Sequence, residues 1–270
     1  HGEKDILWPG QVSWYAKSSG TTNDKSKFIP VSKEGLQKVH YAGGRDSVAL
    51  YLQNNPDSRL FSGKALILGG SHAPNYNLKH SLVGDLSAIL IENINPVVNL
   101  IRVPKKEIAL LSDFEEKMEK IARIAMNQNI TNISGVPSWM LAVIKRVMEL
   151  KGTDNLAEVW PNLEIFFHGG VAFTPYREQY QQIIRSSNMH YMETYNASEG
   201  FFGIQNDPTD PSMLLMIDYD VFYEFIPMDE FDTPNPQIVP LWEVELNKNY
   251  AMVISTSCGL WRYIIGDTVK

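Results

Sequence analysis

The chain has 270 residues, of which 44% are hydrophobic and 20% charged, a composition that suits one large globular core or two modest ones. Its formal net charge of −7 argues against general nucleic-acid binding, which needs a basic footprint. No apolar run is long enough to span a bilayer, and the single cysteine, Cys258, excludes an internal disulfide and fits a reducing, cytoplasmic compartment.

Gln11–Ala16 is a short apolar and aromatic run that reads as a strand. Ser32 is placed to cap a helix running to about Gln53, weakened by Gly43-Gly44. Ala65–Leu68, followed by Gly69-Gly70, reads as a buried strand, and Leu82, Leu86, Ile89 and Leu90 suit one helical face. A helix opens at Ser112 with Glu115 completing a capping box, and Phe114, Met118, Ile121 and Ala125 keep helical spacing. Ile130–Val136 is strand-like, and Ser138 opens a helix carrying Trp139, Ile144 and Met148. Leu163–Phe167 is a second buried strand, and Thr174-Pro175 starts a helix reaching about Ser187. Short strand-like segments then follow at Met189–Thr194, Leu214–Ile217, Val221–Ile226, Trp242–Leu246, Met252–Thr256 and Trp261–Ile265, punctuated by prolines. The first two-thirds therefore alternates strand and helix and the last third is β-rich. The fold class is α/β, with a mostly parallel or mixed sheet.

Four stretches carry chemistry. Ser18-Ser19-Gly20-Thr21-Thr22 groups four hydroxyls around a glycine, with Lys25 and Lys27 behind them. Such a run is either a solvated turn or an anion cradle, in which backbone N–H groups, hydroxyls and lysines converge on phosphate. His168-Gly169-Gly170 ends a strand where backbone can approach a flat ligand, or simply turns; His168 is a base or a structural histidine. Tyr195-Asn196-Ala197-Ser198-Glu199-Gly200 places a ring four residues before a carboxylate, in a site or in a polar loop. Tyr263-Ile264-Ile265-Gly266-Asp267 ends a strand in Gly-Asp, a turn or a carboxylate that accepts from a ribose diol.

Taken in order, these four stretches resemble the adenylate-forming enzyme superfamily. Ser18–Thr22 with Lys27-Phe28-Ile29-Pro30, Ser198-Glu199-Gly200-Phe201-Phe202-Gly203 and Gly259-Leu260-Trp261-Arg262-Tyr263 look like the auxin-responsive acyl acid amido synthetases, in their bacterial form. The wording departs in Asn23-Asp24 where glycine is usual, in Ser198 where threonine is common, and in Ile264 where the superfamily has arginine.

The resemblance implies ATP and Mg2+ as cofactors, and a small carboxylic acid and an amino acid as substrates. The acid would be adenylated and then joined to the amine. Ser18, Ser19, Gly20, Thr21 and Thr22 would serve the phosphates, Gly169, Gly170 and Tyr195 the adenine, Asp267 the ribose, and Glu199 the metal, with Ser198 also binding the cofactor. It also implies that residues 1–270 form the core of the large ATP- and acyl-adenylate-binding domain. An N-terminal segment and a small closing C-terminal domain would lie outside it, leaving the piece alone without turnover. An acyl-CoA ligase of the phenylacetate type and a non-catalytic nucleotide-binding module are the alternatives.

Overall fold

The computed structural model describes residues 4–18, 27–74 and 81–270. In chain order the elements are β1 (Trp14–Ser18), β2 (Lys27–Val31), α1 (Tyr41–Asn54), β3 (Lys64–Ile67), β4 (His72–Pro74), β5 (Leu82–Gly84), α2 (Leu86–Glu92), α3 (Pro96–Ile101), β6 (Arg102–Val103) and α4 (Lys106–Ala109). They continue with α5 (Phe114–Ala125), β7 (Ile130–Gly135), α6 (Pro137–Lys151), α7 (Leu156–Val159), β8 (Ile165–Gly169), α8 (Thr174–Ile183), β9 (His190–Ala197) and β10 (Gly200–Ile204). The last are β11 (Leu214–Leu215), β12 (Val221–Pro227), β13 (Val239–Pro240), β14 (Tyr250–Thr256) and β15 (Tyr263–Val269).

The central sheet has seven strands in the order β11-β10-β9-β8-β7-β3-β6. From β6 to β9 all pairs are parallel, and the β9–β10–β11 end is antiparallel. Two four-stranded sheets flank it, β2-β1-β5-β4 and β13-β12-β14-β15. Alternation along the central strands sends side chains to two cores. Leu66, Ile133 and Phe166 pack with Met118 and Ile121 of α5, Met140 and Ile144 of α6, and Tyr180 of α8. Ile165 and Met192 face the other way, joining Ala16, Val31, Tyr51, Phe201, Tyr223 and Ile254 in a core shared by all three sheets. Each fully buried Ile, Leu or Phe contributes about 1.5–3 kcal/mol. Among the described residues no helix is long and apolar enough to cross a membrane.

Local chemistry explains where elements begin and end. Ser32 does cap the first helix: its hydroxyl accepts from the Gly35 N–H at 2.9 Å and donates to the Ser257 carbonyl at 2.8 Å. The chain winds as a π-turn over Gly35–His40 before α1. Gly43 is required within α1, because a Cβ there would stand 2.4 Å from the Phe201 ring.

Several boundaries differ from the sequence expectation. β1 starts at Trp14, where pairing with β2 and β5 begins, rather than at Gln11. Leu82 belongs to a strand and not to the helical face of Leu86–Leu90, because it pairs with Trp14. The cap of α5 is Asp113 and not Ser112; its carboxylate accepts from the Glu116 N–H at 2.7 Å. α6 opens one residue before Ser138, at Pro137, whose missing N–H is harmless in the first turn. α8 stops at Ile183, short of Ser187, and the Arg185 N–H is taken by the Asn155 side chain at 3.2 Å. Trp242–Leu246 is no strand: after Pro240 the chain makes a 3-10 turn over Leu241–Glu243. Trp242 and Leu246 there are 75% and 93% exposed. Arg262 has φ +47°, so β15 begins at Tyr263 and not at Trp261, and it runs through Gly266-Asp267 to Val269.

Candidate active site

The Tyr195–Gly200 stretch is a hairpin rather than a loop. Tyr195 and Asn196 lie within β9, Ser198 and Glu199 form the turn, and Gly200 starts β10. The buried run Gly200–Ile204 anchors the turn, leaving Glu199 only 5% exposed. Beside it, β8 pairs in parallel with β9, so Gly169 stands opposite Thr194. A Cβ on Gly169 would lie 2.5 Å from the Thr194 carbonyl oxygen, and Gly170 has φ +81°. Glycine is what this close approach and left-handed turn demand. The Thr194 hydroxyl donates to the His168 carbonyl at 3.2 Å, tying the two strand ends together.

β15 brings the last stretch to the same place. Tyr195 Oη donates to Asp267 Oδ2 at 2.6 Å, and Tyr263 Oη donates to Glu199 Oε1 at 3.4 Å. Each carboxylate thus has a phenol beside it. Lys27 Nζ stands 5.4 Å from the centre of the Tyr263 ring, adding a cation to the group. Burial pushes the Glu199 carboxyl above its ordinary pKa, and Asp267 adds to the rise. Its own backbone N–H, Lys27 and Tyr263 oppose it. The Tyr195 phenol is pushed up by burial and then by its bond to Asp267, and the Tyr263 phenol is pushed up by burial.

One cleft of about 1970 Å³ is lined by Ser18, Gly169, Gly170, Tyr195, Ser198, Glu199 and Asp267 together. Ser18 ends β1. Ser19, Gly20, Thr21 and Thr22 lie outside the described residues. His168 is not placed as a base. It is 1% exposed, its ring stacks on Phe173 at 4.0 Å, and burial pulls its pKa down to about 3, so it stays neutral. Arg262 does not replace the arginine missing at position 264: its Nε and Nη2 both donate to Glu224, each at 3.0 Å. Sequence reasoning left Tyr263 out of the site and gave Lys27 only to the phosphate cradle. Both were visible in the motifs, but only the fold shows that they converge on Glu199.

Among the described residues no cluster of three His, Cys, Asp or Glu could hold a metal by itself. A single buried carboxylate with a second acid in the same cleft does fit Mg2+ carried in with phosphates, since that ion takes one or two protein carboxylates and keeps phosphate and water ligands.

Residues 1–189 match the family model described as GH3 family N-terminal domain, and residues 214–270 the GH3 family central domain. The chain is 26% identical over 198 residues to an indole-3-acetic acid-amido synthetase, GH3.3, of Arabidopsis thaliana, covering 68% of this chain and 32% of that protein. The structure of the AtGH3.15 acyl acid amido synthetase in complex with 2,4-DB superposes with a TM-score of 0.78 at 18% identity, over 99% of this chain and 55% of that one. A 2-hydroxyisobutyryl-CoA ligase in complex with 2-HIB-AMP and CoA superposes with a TM-score of 0.56 at 9% identity, over 94% of this chain and 51% of that one. The chain thus spans about a third of the curated relative and about half of each solved neighbour, and it has the fold of adenylate-forming enzymes. With family domains matched along most of its length, the chain belongs to the GH3 family.

Proposed function

We propose that this protein adenylates a small carboxylic acid with ATP and joins the acyl group to an amino acid. The observation that carries this reading is the convergence of Gly169-Gly170, Tyr195, Glu199 and Asp267 on one cleft, from three separate stretches of sequence. Activating a carboxylate as a mixed anhydride needs positioning and charge neutralisation more than covalent help from the protein.

The residues divide that work. Gly169 and Gly170 leave a flat surface where a ring can lie against backbone, and the half-buried Tyr195 lines the same cleft. Asp267, held by Tyr195 Oη, offers its carboxylate to a ribose diol. Glu199 is the residue that would hold Mg2+, which when bound neutralises phosphate charge. Tyr263 and Lys27 steady the Glu199 carboxylate. Ser18 with Ser19, Gly20, Thr21 and Thr22 would supply donors to the phosphate oxygens. The acid's carboxylate oxygen would attack the α-phosphorus with loss of pyrophosphate. The amine would then attack the acyl carbonyl and release AMP.

Isothermal titration with ATP and Mg2+, followed by a panel of aromatic and aliphatic acids assayed for acid-dependent pyrophosphate release, tests the reading. Product formation with amino acids, and none with coenzyme A, is expected. Thioester formation instead would mark an acyl-CoA ligase, and absence of ATP binding would mark a protein that does not use the cleft in this way.

A further inference from the structure

The Gly69-Gly70 pair after β3 and Lys117 of α5, a cation only 4% exposed, take no part in the proposed adenylation. The fold joins them. Lys117 Nζ donates to the Gly69 carbonyl at 3.0 Å and to the Gly70 carbonyl at 2.8 Å. Two successive carbonyls turned to one nitrogen need a donor with more than one N–H, which an ammonium supplies. The other side of the same turn is bound to the next segment. The Gly70 N–H donates to Ser87 Oγ at 2.9 Å and the Ser71 N–H to Asp85 Oδ2 at 3.0 Å, while the Asp85 N–H donates to the Ser71 carbonyl at 3.0 Å. Gly70 has to be glycine, because a Cβ there would overlap Asp85 Oδ2. Burial pulls the Lys117 pKa down, and the charge of Asp85 opposes.

This turn leads from β3 of the central sheet into β4 of the small sheet β2-β1-β5-β4. There β5 runs parallel to β1 with Gly84 opposite Ala16, so Asp85 directly follows the strand beside the one that ends in Ser18. Ser18, Asp85 and Ser87 line the cleft, and Lys117 is outside its lining. Met118 and Ile121 of α5 pack in one core, whereas Ala16 of β1 and Ile89 of α2 pack in the other, so the lysine ties the two. We infer that Lys117 is a positioning residue: its ammonium locks the Gly69–Ser71 turn and thereby sets where the small sheet presents the end of β1 to the cleft. The inference rests on the adenylation reading, in which Ser18 and the hydroxyls after it meet the phosphates of ATP while Gly169-Gly170, Glu199 and Asp267 stand on other strands. One nucleotide touches both groups only if the two sheets keep a fixed relation, and a misplacement of about 1 Å is enough to lose much of the benefit of positioning. Without the ammonium, two enclosed carbonyls lose their donor and the turn relaxes to find another.

The test compares the unaltered protein with Lys117→Met, which keeps the side-chain length but has no donors, and with Lys117→Gln, which keeps N–H donors without the charge. Amide hydrogen exchange of the free proteins reads the tie between the sheets. Isothermal titration with ATP in the presence of Mg2+, and separately with adenosine, reads its use. In Lys117→Met, exchange at Gly70, Ser71 and Asp85 should speed up at least about tenfold, with Ile133 and Phe166 of the central sheet unchanged. The dissociation constant for ATP should rise at least about fivefold and that for adenosine stay within about twofold, since adenosine carries no phosphate. Lys117→Gln should lie between, and it decides the matter in the same way if Lys117→Met does not fold. Unchanged exchange in the turn, loosening that stops at Ser71 and leaves Asp85 protected, unchanged ATP affinity, or an equal loss of ATP and adenosine affinity would each overturn the inference. If the unaltered protein binds no ATP, the adenylation reading is what fails, and the exchange at Asp85 alone judges whether Lys117 holds the small sheet in place.

Discussion

Tyr195 Oη and Asp267 Oδ2 meet at 2.6 Å although the residues are 72 positions apart in sequence. The bond joins β9 of the central sheet to β15 of the C-terminal sheet, so one carboxylate of the cleft is aimed by a side chain from another sheet. Removing the hydroxyl should cost orientation without removing charge. A hydrogen bond to a charged group contributes about 1.5–3 kcal/mol, less where the group is exposed as Asp267 is. Tyr195→Phe is therefore expected to raise the dissociation constant for ATP about three- to tenfold. Asp267→Asn should raise it further, and the double variant should show less than the product of the two effects. Titration calorimetry on the three proteins checks this; full additivity would mean that the phenol and the carboxylate act separately.

Glu199 also predicts a pH dependence of stability. Its carboxyl pKa is raised in the fold, chiefly by burial, so the folded state holds a proton that the unfolded state has released. Stability linked to this group is present below the unfolded carboxylate pKa and declines as pH rises through the folded value. Glu199→Gln lacks the group, so its melting temperature relative to the unaltered protein should improve between about pH 4 and neutral. Parallel melts across that range decide it, and a constant difference would contradict the raised pKa.

The two adjacent glycines of α1 should respond in opposite ways. Gly44 is exposed with nothing near its Cβ position, so Gly44→Ala should stabilise by up to about 1 kcal/mol through helix propensity. At Gly43 the new methyl would stand 2.4 Å from the Phe201 ring, so Gly43→Ala should destabilise by about 1–3 kcal/mol despite the same propensity gain. Urea unfolding of the two variants separates them.

Much of this architecture is legible in the sequence where one segment carries its own signal. Ile165–Phe167 is a continuous apolar run because both faces of the sheet are covered there, and Ile130–Gly135 reads as a strand through its β-branched Ile130, Thr131 and Ile133. Ser32 announces its helix because a cap is a local contact. What was hidden depends on partners far along the chain. Leu82 is a strand residue because of Trp14, and Asn196 sits in a hairpin because Phe201 pairs with it. Trp242 and Leu246 have strand-like composition without a strand to join. In the candidate site, the order of the motifs was readable, whereas the phenol–carboxylate pairings and Lys27 over Tyr263 are products of packing.

The measurement that tests the central claim most directly is acid-dependent ATP–pyrophosphate exchange in the protein and its Glu199→Gln variant at limiting and saturating Mg2+. The substitution keeps size and hydrogen bonding but removes the charge that holds a hard cation. Exchange is expected to fall by at least about tenfold, equivalent to roughly 1.4 kcal/mol of transition-state stabilisation, and to recover in part as Mg2+ is raised. Asp267→Asn should weaken nucleotide binding with no such recovery. Exchange unchanged in Glu199→Gln at limiting Mg2+ would contradict the account, leaving Glu199 a structural residue of the β9–β10 turn.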